Sequence, residues 1–284
     1  MDIFEAPPGW CFVQRDQAGA EALYVAYDAK PGRYRALFEN GVKAHTYVAL
    51  HLFIDKFRGQ HPRDRYWCKT APELKELEEW AQISKAIAKS KFEYDIGKKT
   101  GHASNYKMGP VTFRDSVLKE SEGTMVLTME QARFYLETYK ELFPEIVVWQ
   151  IEIEDTIRRT RLLRNAFGYP RRFERIITDS SIREGISWKP QSTIGVITHR
   201  AFVETRNHIV KYGLRWRPIS NKHDSYALMI PEPDVEQARE VMMRDINQTI
   251  TCAHGSFTMK SDFQVGYNLR KYHELHNPRG MREL

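Results

Sequence analysis

Strand character is confined to two parts of this sequence, one near its start and one beyond residue 213, and helical periodicity dominates between them. The run Trp10–Asp16 reads as a short strand, and Leu214–Ile230 reads as a hairpin that turns at His223–Ser225. Strands so far apart can share a sheet only by pairing across the intervening helices. This order predicts an α+β fold, with a small antiparallel sheet flanked by helices and a helical subdomain inserted between its strands.

Apolar residues repeat at helical spacing in most of the remaining sequence. A helix is predicted directly after Asp16, through Leu23 and Val25, and a helix-rich stretch runs to a stop at Gly109–Pro110. Thr128 and Gln131 have capping-box spacing, which predicts a helix start there. The predicted helical segments beyond the first are 72–106 (with Leu74, Leu77 and Trp80 inward), 128–144, 145–163, 192–211 and 233–250.

The charge balance of the chain is mildly basic. Lys and Arg number 43 against 37 Asp and Glu, giving a formal net charge of +6 and a pI near 9.1. A basic balance favours polyanionic partners such as nucleic acids. On charge alone, an ordinary basic surface explains the excess equally well. The length of 284 residues is enough to bury a core without disulfide or metal staples.

The cysteines and the N-terminal residues indicate the cellular compartment of the protein. Cys11, Cys68 and Cys252 are odd in number, widely separated and without C-x-x-C spacing, which argues against a disulfide framework or a zinc site. No apolar stretch approaches the length of a membrane span, and the first residues lack the regions of a signal peptide. The expectation is a cytoplasmic protein with no membrane partner.

Two aspartates lie at positions where they could meet. Asp16 ends the first predicted strand, and Asp224 lies at the tip of the predicted hairpin. Two-metal phosphoryl transfer needs such a pair, because two Mg²⁺ ions roughly 3.5–4 Å apart must be bridged and charge-compensated. Read alone, however, an aspartate before a helix is usually a cap, and an aspartate after a histidine is usually a turn former.

The surroundings of Asp16 give it a sharper interpretation. Residues 6–10 (APPGW) followed by 15–21 (RDQAGAE) resemble motif A of family A DNA polymerases, the DNA polymerase I type. The resemblance implies that Asp16 is a metal ligand. It also places Glu21 at the position of the family's steric gate, whose side chain excludes a ribose 2′ hydroxyl. DNA rather than RNA synthesis is therefore implied.

A second resemblance lies in the helix-rich stretch. Residues 98–106 (KKTGHASNY) resemble the family's motif B, with Lys98, His102 and Tyr106 spaced to share one helical face. A lysine there can contact a triphosphate, and an aromatic ring can stack on the incoming nucleotide. His102 stands where the family has a bulky aromatic residue.

Neighbouring positions depart from the motif B pattern. Tyr94 stands where the family has arginine, and Lys91 is one turn earlier and could replace that charge. Lys107 stands where the family has glycine. The contacts to the triphosphate are the part of the resemblance that these departures affect.

Two further segments follow the family in order. Residues 167–172 (FGYPRR) resemble the F-G-R-x-R segment that precedes a template-contacting helix. Downstream, Arg183, Ser187 and Gln191 recur every fourth residue and resemble a pattern that lines the primer-template minor groove, with serine in place of asparagine.

The hairpin tip resembles motif C. His223-Asp224-Ser225 is similar to the family's H-D-E, which implies that Asp224 is the second metal ligand and His223 a contact to the primer terminus. Ser225 replaces the family's glutamate. Residues 263–268 resemble the family's final strand, so the likeness spans nearly the whole chain, and the sequence between the motifs is phage-like.

The resemblance also implies a domain organisation. Residues 1–30 correspond to the start of the palm, 31–179 to the helical fingers, and 180–284 to the rest of the palm. Family members carry a thumb and usually an exonuclease-like domain before motif A. The expectation is a fragment, or one subunit of a split polymerase whose partner chain supplies the thumb, and a palm sheet with an unpaired edge.

The implied activity is transfer of dNMP from a dNTP to a primer 3′-OH with two Mg²⁺ ions, on primer-template DNA. Two alternatives stay open at this point. The departures at Tyr94, Lys107 and Ser225 also fit a DNA-binding remnant that has lost catalysis. A single-subunit RNA polymerase is a third possibility, which Glu21 disfavours.

Overall fold

The computed structural model describes residues 4–17, 19–58, 70–76, 78–244 and 249–284. Ala18, Cys68 and Leu77, on which expectations above were based, lie outside these residues. The fold is a mixture of many helices and a small antiparallel sheet, which confirms the predicted α+β class.

The main sheet brings the two ends of the sequence together. Its strands are β1 (Trp10–Gln17), β4 (Arg217–Asn221), β5 (Ser225–Pro231), β8 (Ser261–Gly266) and β9 (Arg282–Glu283), in the spatial order β4-β5-β1-β8-β9. The early strand β1 therefore lies in the centre of the sheet, antiparallel to β5 on one side and β8 on the other. The predicted pairing of distant strands is confirmed.

Two smaller hairpins accompany this sheet. One is formed by β2 (Leu162–Arg164) and β3 (Pro170–Arg172), and the other by β6 (Thr249–Thr251) and β7 (Ser256–Thr258). Neither was expected from the sequence.

Helices follow β1 and fill the middle of the chain. After α1 (Ala20–Asp28), the described helices before β2 are α2 (Arg33–Glu39), α3 (Ala44–Leu52), α4 (Ile54–Arg58), α5 (Ala71–Glu76), α6 (Glu78–Lys89), α7 (Lys91–Asn105), α8 (Pro110–Glu120), α9 (Met129–Leu142) and α10 (Pro144–Thr160). Thr128 caps α9 together with Gln131 in the predicted capping box. Two helices come later, α11 (Asp179–Tyr212) and α12 (Val235–Met243).

Three predicted helix boundaries are wrong. The helix expected over 145–163 ends at Thr160, because Arg161 takes a left-handed conformation with φ of 53° and the chain continues as β2. The helix expected to start at Ser192 starts at Asp179, where Thr178 and Ser181 form a capping box, and it continues through Pro190. The helix expected over 233–250 ends at Met243, and 249–251 are strand.

The core divides into one large cluster and smaller ones. The large cluster packs the helices between Val25 and Ile186, and includes the buried Tyr34, Tyr139 and Trp149. A second cluster lies between the main sheet and the helices α11 and α12, with Cys11, Leu228 and Phe263. The helices and the sheet thus each bury their own apolar side chains, and α1 also packs on α11 and the β6–β7 hairpin in a third cluster.

The two described cysteines carry free thiols. Burial raises the pKa of Cys11 to about 11 and that of Cys252 to about 12. Neither thiol is therefore reactive at neutral pH.

None of the described helices combines the length and the apolar character needed to cross a membrane.

Candidate active site

The sheet places the two aspartates beside each other. Asp16 is paired in register with Ser225, the residue after Asp224, and the Gln17 amide donates to the Asp224 carbonyl oxygen at 3.0 Å. On the other side Asp16 is paired with Asp262 of β8. Residues directly opposite in an antiparallel ladder share a face, so the Asp16 and Asp262 side chains point the same way.

The electrostatic setting of Asp16 opposes its ionisation. Burial raises the pKa of Asp16, and the charges of Asp224 and Asp262 raise it further, while Lys271 and Lys222 act in the opposite direction. A like charge nearby disfavours the ionised form of a carboxyl group. This position therefore carries an excess of negative charge that a bound cation would relieve.

The donor set at Asp16 and Asp224 fits a hard divalent cation. Carboxylate oxygens are the ligands that Mg²⁺ prefers, and it usually keeps waters and substrate phosphates in its remaining positions. Within the described part of the chain, neither carboxylate receives a hydrogen bond. No group of three or more His, Cys, Asp or Glu side chains in that part could hold a metal by itself. The pair thus offers an open site instead of a complete cage.

Both aspartates line a cavity of about 360 Å³ at the junction of the sheet and the helices. Glu21 on α1, Lys98 and His102 on α7, and Tyr106 line the same cavity. The structure therefore brings together the residues predicted from motifs A, B and C. The lining also includes Tyr34, His45, Asn105 and Tyr139.

Glu21 is the centre of a polar network in this cavity. Its carboxylate accepts a short hydrogen bond from the Tyr106 hydroxyl, and it lies 3.2 Å from His223 Nε2 and 3.6 Å from His102 Nε2. Burial acts to raise the pKa of Glu21, but the hydrogen bonds from His102, His223 and Tyr106 outweigh it and lower the pKa. The contact to Glu21 in turn raises the pKa of His223. One carboxylate thus connects α1, α7 and the tip of the β4–β5 hairpin.

The wall opposite the sheet is held by close helix packing. A Cβ atom at Gly97 would lie 2.6 Å from the carbonyl oxygen of His45 and 2.9 Å from the Ala49 Cβ, so α7 approaches α3 as only glycine allows. Burial, with Lys98 and Lys43 nearby, lowers the pKa of His45 to about 4. His45 is therefore neutral at pH 7.

The end of α7 departs from ordinary geometry. Tyr106 is the C-cap residue, and Lys107 after it has a φ of 56°, in the left-handed region that favours glycine. Lys107 stands where motif B has glycine, and it takes this conformation although it carries a side chain. Its Nζ lies 2.6 Å from Glu154 Oε2.

Lys91 and Tyr94 do not line the cavity that holds the aspartates. Lys91 lines a different cavity, of about 640 Å³, which Lys98, Lys99 and His102 also border. Tyr94 contacts the ring of His45 edge-on, with centroids 6.1 Å apart. Lys91 is therefore not in the same cavity as the aspartates.

The predicted minor-groove residues lie outside the cavity. Arg183, Ser187 and Gln191 follow one another on α11 at one-turn intervals, and Arg183 is exposed. The Ser187 hydroxyl donates to the Glu184 carbonyl at 3.2 Å. Farther along α11, the Thr198 hydroxyl accepts a hydrogen bond from the Gln17 side chain at 2.5 Å, which ties the helix to β1.

Sequence reasoning missed two residues of the site. Asp262 stands opposite Asp16, but its importance depends on strand register, which the sequence does not reveal. Asn105 accepts from the Tyr139 hydroxyl at 2.7 Å and donates to the Tyr34 hydroxyl at 3.1 Å, forming a buried wall of the cavity. Its place between His102 and Tyr106 of motif B was the available signal.

The chain is similar to known DNA polymerases in sequence and in fold. It is 24% identical over 252 residues to the DNA polymerase of Escherichia phage T5, a match that covers 86% of this chain and 28% of that polymerase. The solved POL domain of Pol1 from M. smegmatis, in complex with DNA primer-template and dNTP, superposes with a TM-score of 0.65 at 14% identity. That match covers 94% of this chain and 41% of the solved chain. No protein-family model matches.

Neither likeness covers a whole relative. Both extend over most of the present chain and over less than half of the relatives. In sequence the chain is thus similar to part of a DNA polymerase, and in fold it is similar to a solved POL domain.

Proposed function

We propose that this chain carries the nucleotidyl-transfer site of a DNA-directed DNA polymerase. The observation that carries the proposal is that Asp16 and Asp224 line one cavity with Glu21, Lys98 and Tyr106, although they are far apart in sequence. The relatives named above are DNA polymerases, and one was solved with primer-template DNA and dNTP. Primer-template DNA and a dNTP are therefore the proposed partners.

Each residue has a proposed role in that reaction. Asp16 and Asp224 would hold two Mg²⁺ ions, which when bound lower the pKa of the primer 3′ hydroxyl and neutralise charge on the phosphates. Lys98 would contact the triphosphate of the nucleotide. His102 and Tyr106 would border its base and sugar, and His223 the primer terminus.

Selection against ribonucleotides is assigned to Glu21. Its carboxylate oxygens already accept from Tyr106 and contact the two histidines, so a ribose 2′ hydroxyl would meet a filled surface. A buried polar group left without a partner is the penalty that yields such discrimination. Glu21→Ala should raise ribonucleotide incorporation relative to deoxyribonucleotide by at least about tenfold. An unchanged ratio would contradict this assignment.

The duplex is proposed to run along α11. Arg183, Ser187 and Gln191 would face its minor groove, where arginine and glutamine can donate to base acceptors. In domain terms, residues 1–30 and 180–284 would form the palm, and 31–179 the fingers. The cluster between the main sheet and the helices α11 and α12 supports this division, because all its residues fall within the proposed palm.

We further propose that a separate chain supplies thumb and exonuclease functions. The chain spans 28% of the length of the phage T5 polymerase. The main sheet also has an open edge, since β4 pairs only with β5 within the described ranges. An open strand edge is a ready site for association.

Primer extension tests the proposal. The full chain is assayed with a labelled primer-template, Mg²⁺ and the four dNTPs, with and without the protein encoded upstream of it. Incorporation is expected, and Asp16→Asn and Asp224→Asn should each reduce it by at least about a thousandfold. Asp115→Asn, which changes an exposed carboxylate on α8, should leave it unchanged. Extension that survives both active-site substitutions would reject the proposal.

A second candidate is a DNA-binding remnant without catalysis. The observation in its favour is Ser225, which leaves the hairpin tip with one carboxylate where the family has two. This candidate predicts DNA binding with an ordinary salt dependence and no incorporation in any combination with the upstream protein. Preference for ribonucleotides in the same assay would instead favour the RNA polymerase alternative.

A further inference from the structure

One short segment carries a charge as large as that of the whole protein. Residues 158–178 contain seven arginines and one acidic residue, Glu174, a net charge of +6. The formal net charge of the chain is also +6, so the rest of the sequence is balanced. Such a local excess is an electrostatic footprint for a polyanion.

The β2–β3 hairpin displays part of this charge on one face. Leu163 is buried, and a Cβ at Gly185 of α11 would lie 3.1 Å from its Cδ1 atom, so the Leu163 face packs on α11. Leu162 is paired with Arg172 and Arg164 with Pro170, which places Arg164 and Arg172 together on the opposite face. Both arginines are exposed. As diagonal neighbours their Cα atoms are roughly 7–8 Å apart.

The turn of the hairpin is rigid and presents an aromatic ring. Asn165 Oδ1 accepts hydrogen bonds from the backbone N–H groups of Phe167 and Tyr169, each at 3.0 Å. The backbone N–H of Asn165 donates to the Tyr169 carbonyl oxygen at 3.1 Å. Gly168 has a φ of 82°, which suits glycine, and Arg164 donates to its carbonyl at 2.8 Å. Tyr169 is nevertheless 52% exposed. A ring held on a fixed turn loses little entropy when something stacks on it.

Two arginines of this segment, Arg172 and Arg175, keep their side-chain donors for an external partner. Arg171, on the α11 side, forms an ion pair with Glu184, and Arg161 donates to the carbonyls of Phe173 and Arg175. The side chains of Arg172 and Arg175 have no hydrogen bond or ion pair with any residue in the described ranges. Their charge is therefore not used to stabilise the fold.

We propose that this hairpin, residues 161–175, binds the single-stranded part of the template, with Tyr169 stacking on a base and Arg172 and Arg175 contacting phosphates. This rests on the proposed function, which supplies a template strand. Exposed aromatic rings beside a basic surface are how proteins bind single strands, because every base offers a flat face. In a blunt duplex all base faces except those of the two end pairs are already stacked, so Tyr169 has far less to cover.

The position of the hairpin suits this role. It runs beside the part of α11 that holds Arg183 and Gln191, since Arg171 contacts Glu184 and the Ala166 amide donates to the Thr193 hydroxyl at 3.3 Å. A strand leaving the minor-groove residues of α11 therefore reaches the hairpin directly.

Fluorescence anisotropy of the full chain tests the inference. The probes are a labelled oligodeoxythymidylate, a blunt duplex and a primer-template with a single-stranded overhang. Tyr169→Ala should weaken binding of the single strand about tenfold, and Tyr169→Phe should leave it unchanged. Arg172→Ala/Arg175→Ala should reduce the slope of log Kd against log salt by about 1.4, because each phosphate that an arginine neutralises adds about 0.7 to that slope.

A matched control removes two arginines elsewhere. Arg133→Ala/Arg239→Ala changes exposed residues on α9 and α12 and should leave the slope unchanged. The inference is overturned if the hairpin double variant behaves like this control. It is also overturned if blunt-duplex binding weakens as much as single-strand binding.

The test separates this inference from the proposed function. Wild-type incorporation together with unchanged single-strand binding by the hairpin variants would reject the hairpin and keep the polymerase. Hairpin-dependent binding of the overhang without incorporation, even with the upstream protein, would keep the hairpin and reject the polymerase.

Discussion

Asp16 lies where its charge lowers the stability of the protein. Burial, Asp224 and Asp262 raise the pKa of Asp16 in the folded protein above the ordinary value of 3.8. Its contribution to the free energy of unfolding is therefore complete below pH 3.8 and is lost as the pH rises through the folded pKa. At neutral pH the ionised carboxylate therefore destabilises the metal-free protein. This is the pattern expected of a residue selected for binding a cation instead of for folding.

Asp16→Asn should accordingly raise the Tm of the metal-free protein at neutral pH. A rise of about 1–3 °C is expected, which corresponds to less than about 1 kcal/mol in a chain of this size. The gain should shrink as the pH approaches 3.8. Differential scanning calorimetry in EDTA measures it, with Asp115→Asn as the surface control. A lower Tm for Asp16→Asn would show that its charge is already compensated.

His45 makes the helical wall sensitive to acid. Burial and the nearby lysines lower its pKa to about 4, so its contribution to stability is present above its ordinary pKa of 6.5 and is lost as pH falls toward 4. Between pH 6.5 and 4, His45→Asn should lose roughly 1–2 kcal/mol less free energy of unfolding than the wild type. This value allows for the partial exposure of the His45 side chain. Urea unfolding at several pH values measures this. His276→Asn, at an exposed histidine, should leave the acid dependence as it is.

Lys107 holds a conformation that suits glycine. With φ of 56° it is strained, and substitution by glycine relieves the strain while it removes the ion pair with Glu154. Lys107→Ala removes the same ion pair and keeps the strain. Lys107→Gly should therefore be about 1 kcal/mol more stable than Lys107→Ala in urea unfolding. Equal stabilities would mean that the backbone there relaxes.

At the scale of elements, the fit of α7 against α3 decides where the cavity-lining residues Lys98, His102 and Tyr106 lie. Gly97→Ala would place a methyl group against the α3 backbone and should destabilise the protein by roughly 1–3 kcal/mol. Gly101→Ala on the same helix meets the nearest atom, of Tyr139, at 3.7 Å and should be neutral or stabilise by up to about 1 kcal/mol. Thermal unfolding of the two variants compares them directly. Equal effects would contradict the close approach at Gly97.

The elements also show what sequence patterns could and could not predict. The strand ending at Asp16 and the capping box at Thr128 were predictable because each depends on local residues. The start of α11 was not, because Pro190 and the polar residues before it hide a helix that tertiary packing completes. The β2–β3 and β6–β7 hairpins have strands of three residues each, too short for a periodic signal.

At the scale of the whole molecule, the sequence predicted which residues would share the cavity because the resemblance preserves the order of the motifs. Glu21, Lys98, Tyr106 and Asp224 do line it together with Asp16. The contact of His223 with Glu21 and the pairing of Asp16 with Asp262 were not predictable, because they depend on strand register and helix packing. Local patterns thus predict the members of the site, and tertiary packing sets their contacts.

Divalent-ion binding tests the central claim most directly. Mn²⁺ titrations of the full chain in the presence of a dNTP, followed by electron paramagnetic resonance, count the ions held. The wild-type chain should bind Mn²⁺ with its nucleotide, Asp16→Asn and Asp224→Asn should each weaken binding by at least about tenfold, and Asp115→Asn should not. Equal binding by all four proteins would show that Asp16 and Asp224 hold no ion.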